Sequence, residues 1–284
     1  MRIDGHLHIG GKQADPLRLL PELTAAGMDG AAMLSQPPAW WQEGRLVALS
    51  AVDRLANLRQ WTVAQPKLYP IFWINPTAPD ACDEVAQAVA AGVQGFKVIC
   101  SSHAPDDARA LPVYRAIAAL DKPILFHSGI LWDGRPSSPF NRPAAFEALL
   151  EVPRLRFALA HISWPWVDEC IAVYGKFLNA TSVRSDAPEM FIDTTPGTPP
   201  IYREEALTRL FTVGYDVTAN VIFGTDCATE KYNVAWAREW QARDEAILRK
   251  LGLDEAARAA YFGGNFERWL RGPRRAIRSP QSAE

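Results

Sequence analysis

Cysteine, charge imbalance and long apolar runs are all scarce in this chain, and each scarcity closes off a class of protein. The four cysteines, Cys82, Cys100, Cys170 and Cys227, stand far apart with no C-x-x-C pair, so free thiols are expected rather than a zinc ribbon or a disulfide framework. A formal net charge of −2 over 284 residues leaves no basic field for nucleic acid or an anionic membrane surface. No apolar run approaches the length of a transmembrane helix. The opening MRIDGHLHIG lacks the apolar stretch and small-residue cleavage site of a secretory leader, so a cytoplasmic location is expected. There is no G-x-G-x-x-G phosphate turn, no G-x-S-x-G nucleophile elbow, no low-complexity linker and no fixed-period repeat.

What is present is an alternation of short apolar runs with helical patterns. The runs cover 2–9, 30–36, 67–75, 93–100, 122–129, 156–163, 189–195 and 220–226, and most are continuously apolar, as a parallel sheet buried on both faces requires. Helical spacing fills 80–92, 112–121, 143–152, 165–175, 204–214 and 234–252, several of these opening on proline in the first turn or closing on glycine. Eight strand–helix units predict an α/β fold, a single-domain (β/α)₈ TIM barrel over 1–273 with a polar tail over 274–284. An open doubly wound sheet is the alternative.

Five histidines occur, and four of them, His6, His8, His127 and His161, fall near the C-terminal ends of predicted strands. In a strand, His6 and His8 face the same way. From His8 to His127 is about four βα units at roughly 30 residues each, from His127 to His161 about one, and from His161 to Asp226 about two. The groups therefore sit on barrel strands 1, 5, 6 and 8, all at the end where barrel enzymes build their active sites. Strands 8 and 1 are neighbours, which sets Asp226 beside the histidine pair. Imidazoles with one carboxylate suit Zn²⁺ with a position left open for water or substrate.

The ordered pieces IDGHLHIG, GFKV, PILFHSG, LAHIS-WPW, MFIDTT, VIFGTD and FGGNFERWL resemble the amidohydrolase superfamily, in the amidohydrolase-2 branch that includes the aminocarboxymuconate-semialdehyde decarboxylase-like enzymes. The resemblance implies His6, His8, His127 and Asp226 as metal ligands and His161 as the residue touching the catalytic water or substrate. It implies one divalent ion rather than two, zinc first and manganese second. Asp226 and His161 are then the catalytic pair: Asp226 as proton acceptor, His161 orienting water or stabilising an oxyanion. The expected activity is metal-dependent hydrolysis of a small carboxylated or cyclic amide, ester or lactone. Non-oxidative decarboxylation by the same cage is the alternative, and a non-catalytic binding barrel the third reading. Lys97 is expected as a barrel-mouth charge that binds a substrate anion, or as an interior pair, with a metal-bridging role less favoured. Arg135 and Arg142 are candidates for a substrate carboxylate, balanced against salt bridges to a neighbouring loop. Trp164, with Trp40, Trp41 and Trp166, is a candidate wall for an apolar substrate. His103 is expected in a solvated loop. The partner is a small molecule, with a homo-oligomer left open.

Overall fold

The computed structural model describes residues 1–11, 13–42 and 45–273; the expected tail over 274–284 and the side chain of Trp41 lie outside the described residues. Strands in chain order are β1 (Ile3–His8), β2 (Gly30–Leu34), β3 (Ala39–Gln42), β4 (Arg45–Ala48), β5 (Leu68–Trp73), β6 (Gly95–Val98), β7 (Ile124–Phe126), β8 (Arg156–Leu159), β9 (Glu189–Asp193), β10 (Val221–Ile222) and β11 (Cys227–Ala228). Nine of them make one sheet in the order β10-β9-β8-β7-β6-β5-β2-β1-β11, and its neighbours pair in parallel. The antiparallel pair β3–β4 stands apart, where the sequence predicts a loop.

Alternation along the strands explains why both faces are apolar. On β8, Phe157 and Leu159 join the large cluster between sheet and helices, while Ala158 joins a smaller inner cluster with Ile3, Leu34, Ile71, Leu125 and Phe191. The inner side chains fill the concave side of the sheet.

The sheet is curled. Its two ends, β10 and β11, come from one short stretch of chain and flank opposite edges. The expected strand over 220–226 breaks after Ile222, and the ladder is not closed between β10 and β1. The physical reason lies in Asp4. Its carboxylate accepts the Thr225 N–H (2.9 Å) and the Thr225 hydroxyl (2.6 Å), which takes that residue out of backbone pairing. What crosses the junction instead is the Gly5 N–H to the Phe223 carbonyl (2.9 Å) and the Asp226 N–H to the His6 carbonyl (3.0 Å).

Helices cover Pro16–Ala25, Ala51–Thr62, Ala81–Ala90, Ala110–Ala119, Val167–Val183, Pro200–Thr212 and Val234–Lys250. Local chemistry starts them: the Asn233 side chain accepts the Trp236 N–H (3.0 Å), and Asp15 accepts the Arg18 N–H (3.1 Å) with Pro16 behind it. The run 143–151 winds as a 3₁₀ helix. Its buried positions, Pro143, Phe146 and Leu149, with Val152 beyond its end, recur every third residue, the repeat that eclipses on one side of a 3₁₀ turn. No helix among the described residues is long and apolar enough to cross a membrane.

Candidate metal centre

β1 delivers two histidines to the rim of the sheet. His6 is fully buried, and its Nε2 lies 3.2 Å from Nε2 of His8. Two lone pairs at that distance repel unless a proton or cation lies between them. Asp226 comes from the loop between β10 and β11 and places Oδ1 3.3 Å from His8 Nε2 and 3.7 Å from His6 Nε2. Ligand atoms of these three residues all fall within 4.8 Å of one another. The structure thus brings three of the four expected ligands together.

The fourth is placed differently. His127, at the end of β7, shares the cavity, but its Nε2 donates to the Ile130 carbonyl (3.2 Å). Its ring centroid lies 4.9 Å from that of His161, and His161 lies 5.4 Å from His6. His161 is the first of three consecutive residues with positive φ (62°, 45° and 55° through Ser163), and Asp226 has φ 61°. Such backbone costs about 1–3 kcal/mol per residue and persists where the surroundings over-determine it. Two glycines make the room. A Cβ on Gly197 would fall 2.7 Å from His161 Cβ, and one on Gly224 would fall 2.8 Å from His6 Cβ.

A carboxylate absent from the expected set orients the centre. Asp193, at the end of β9, lies 2.7 Å from His6 Nδ1 and is itself held by the Thr195 N–H (2.5 Å). An ionised carboxylate only accepts, so His6 carries its proton on Nδ1 and turns the Nε2 lone pair toward His8 and Asp226. The same rule fixes His161, whose Nδ1 faces the Thr195 carbonyl at 3.3 Å and leaves Nε2 as an acceptor. Asp193 was within reach of the sequence, because FIDTT puts a carboxylate at a strand end by the same rule that selects His161. Asp4, which ties β1 to Thr225, was equally legible as the residue two before His6.

Electrostatics keep the buried imidazoles of His6, His127 and His161 neutral. Burial, followed by the charge of Lys97, holds His6 well below the usual histidine value. Burial, then His161 and Lys97, does the same for His127. Burial pushes the Asp226 carboxyl up, but the hydrogen bond with His8 and the surrounding imidazoles outweigh it and hold Asp226 well below the usual carboxylate range. Neutral imidazoles with an ionised carboxylate form the protonation state that binds a divalent ion, so the donor set fits such a group. Lys97 is 1% exposed, its Nζ lies 3.4 Å from His6 Nε2, and burial pulls its pKa down to about 8. It addresses the floor of the site.

The cavity above these groups has a volume of about 400 Å³. Trp164 lines it as expected. Arg142 does not: its guanidinium is bound to Glu169 (2.5 Å) and lies over Trp166, so the salt-bridge alternative is the one realised. Arg135 is also absent from the lining; its backbone N–H caps onto Asp133 (3.0 Å). Trp40 and Trp166 lie outside the lining as well. His103 is buried rather than solvated, beside Asp107, whose charge partly offsets the burial that lowers its pKa.

A protein-family model described as amidohydrolase matches residues 3–272. The fold is similar to that of an amidohydrolase from Burkholderia multivorans with bound zinc (16% identity, 96% of this chain and 100% of that chain, TM-score 0.64). It is also similar to 2,6-dihydroxybenzoate decarboxylase from Rhizobium (15% identity, 95% and 98%, TM-score 0.61). A third likeness is to dihydroorotase from Campylobacter jejuni (17% identity, 93% and 81%, TM-score 0.58). Comparison with curated proteins gives no match.

Proposed function

The chain belongs to the amidohydrolase family, and on that premise we propose that it is a metal-dependent hydrolase of a small amide, ester or lactone. The observation that carries the reading is the convergence of His6 Nε2, His8 Nε2 and Asp226 Oδ1 on the cavity floor, with the His6 lone pair aimed by Asp193. His6, His8 and Asp226 would hold one divalent cation, zinc in preference to manganese, and His127 is the next donor once it leaves the Ile130 carbonyl. Such a cation supplies a Lewis acid that polarises a carbonyl oxygen and acidifies a water.

The chain's own groups do the rest. His161 has an acceptor nitrogen, because its proton is committed to Thr195. Of the two roles expected for it, orienting water fits this tautomer, since the nitrogen can accept from the water; donating to an oxyanion does not. Asp226 stays ionised, and its side chain is 36% exposed, so it is a second proton acceptor with access to a leaving group. We also read the curled sheet as a (β/α)₈ barrel, supported by the Gly5–Phe223 bond across its junction.

The test has two parts. Stoichiometric zinc bound to the purified protein, and lost in His8→Ala, supports the centre; no zinc bound by either protein overturns it. Turnover in isotopically labelled water then separates the chemistries: label in the product acid marks hydrolysis, whereas carbon dioxide release with no label in the organic product assigns decarboxylation instead.

A further inference from the structure

We infer that the substrate of this site carries an uncharged, apolar ring on the side away from the reacting bond, seated between Trp132 and Trp164; the inference rests on reading the cavity as catalytic. Above the polar floor the lining is apolar: Ile99, Ile130, Leu131, Trp132, Trp164 and Pro196. Charge in the lining belongs to Asp133, Asp226 and Lys97. Lys97 is 1% exposed and engaged with His6 at 3.4 Å, so it offers nothing to the outer cavity. Neither arginine of the loop after β7 reaches the lining, and Arg142 is taken by Glu169. A substrate carboxylate projecting outward would therefore meet the Asp133 carboxylate and no cation of the outer lining.

Trp132 supplies the positive half of the argument. It is 79% exposed at the cavity mouth, a large apolar surface left uncovered. The loop that carries it is braced. The Ile130 N–H donates to the Trp164 carbonyl (3.0 Å), the Leu131 N–H to Ser138 Oγ (3.3 Å), and Asp133 accepts from Ser137 Oγ (2.8 Å). Gly129, with φ 104°, permits this approach, since a Cβ there would lie 2.5 Å from the Trp164 carbonyl oxygen. The loop thus holds Trp132 at the mouth of the cavity that Trp164 also lines, and a flat ring entering it would cover apolar surface on both.

The probes are 2-naphthol and 2-naphthoate, titrated calorimetrically into the protein freed of metal and loaded with zinc. In metal-free protein 2-naphthol is expected to bind about tenfold more tightly than 2-naphthoate, and Trp132→Ala to weaken 2-naphthol by about tenfold. Asp133→Asn should narrow the gap between the two probes and leave 2-naphthol unchanged. The inference is overturned if 2-naphthoate binds metal-free protein as tightly as 2-naphthol, if Trp132→Ala leaves 2-naphthol unaffected, or if 2-naphthol does not bind. Zinc titrated into the same samples reports separately on function: no zinc binding with Trp132-dependent 2-naphthol binding overturns the hydrolase reading and upholds the ring-binding cavity.

Discussion

Two buried clusters of ionisable groups invite comparison. Behind the sheet, Arg203 and Asp244 are both fully buried and joined by two bonds (Nε to Oδ1, 2.8 Å; Nη2 to Oδ2, 2.7 Å). The Tyr261 hydroxyl donates to Asp244 (2.7 Å) and meets Thr194 Oγ1 (2.7 Å), and the guanidinium lies over Trp240. Charge there is paired with charge, and the carboxylate's acceptors are taken up inside the protein. At the rim, His6 Nε2, His8 Nε2 and Asp226 Oδ1 converge within 4.8 Å of one another. Asp193 fixes the His6 proton on Nδ1, and Lys97 Nζ stands 3.4 Å from its Nε2. The first cluster is sealed, with both partners fully buried, whereas at the second the His8 and Asp226 side chains are 29% and 36% exposed and open to a cation. A buried charge paired with its counter-charge argues for architecture, and donor atoms gathered at an open rim argue for a ligand.

The largest effect should come from opening the closed cluster. Arg203→Ala leaves Asp244 buried without its cation, and a loss of about 3–5 kcal/mol in urea unfolding is expected. Exchanging both partners for apolar residues (Arg203→Met with Asp244→Leu) should restore much of that loss; if the double variant is no better than the single, the pair is not acting as a unit. The open cluster should behave in the opposite way. His8→Ala is expected to weaken zinc binding by more than about 100-fold, beyond the range for groups outside the ligand shell. Metal-free stability should move by less than about 0.5 kcal/mol, since the ring is part-exposed. His127→Ala should weaken zinc less than His8→Ala, and the reverse order would make His127 a primary ligand.

Asp193→Asn keeps the shape and removes the charge behind His6, and about tenfold weaker zinc binding by chelator competition is expected. An unchanged affinity would mean that Asp193 only supports the fold. The smallest effect concerns pH, at a group outside both clusters. Burial lowers the pKa of His103, so the unfolded chain takes up a proton there before the folded protein does. Its contribution to stability is therefore present above about pH 6.5, the unperturbed histidine value, and is lost as pH falls from there through the folded value. His103→Asn should flatten the decline in urea midpoint between neutral and mildly acidic pH; an unaltered slope would show that other groups carry it.

The strands, and the residues that gather at the candidate centre, were readable from local pattern. All eight expected runs contain observed strands, because a strand buried on both faces must be apolar throughout. IDGHLH, PILFHSG, LAHIS and GTD were readable because strand ends in such folds converge. Residues whose role depends on what lies opposite were harder to read. Arg142 left a substrate carboxylate and a salt bridge equally open until Glu169, on the helix Val167–Val183, was seen to take it. The pair β3–β4 and the 3₁₀ winding of 143–151 depend on packing rather than on propensity.

Chain order and side-chain chemistry settled which groups could meet at the rim: their spacing counts strand–helix units, and their donor atoms admit few uses. Packing in three dimensions settled how they meet. Asp193 chose the His6 tautomer, Thr195 made His161 an acceptor, Ile130 turned His127 aside, and Asp4 opened the last strand to set Asp226 beside His8. Three of those outcomes hang on hydrogen bonds between positions far apart in the chain, and the fourth on the local bond from His127 to Ile130.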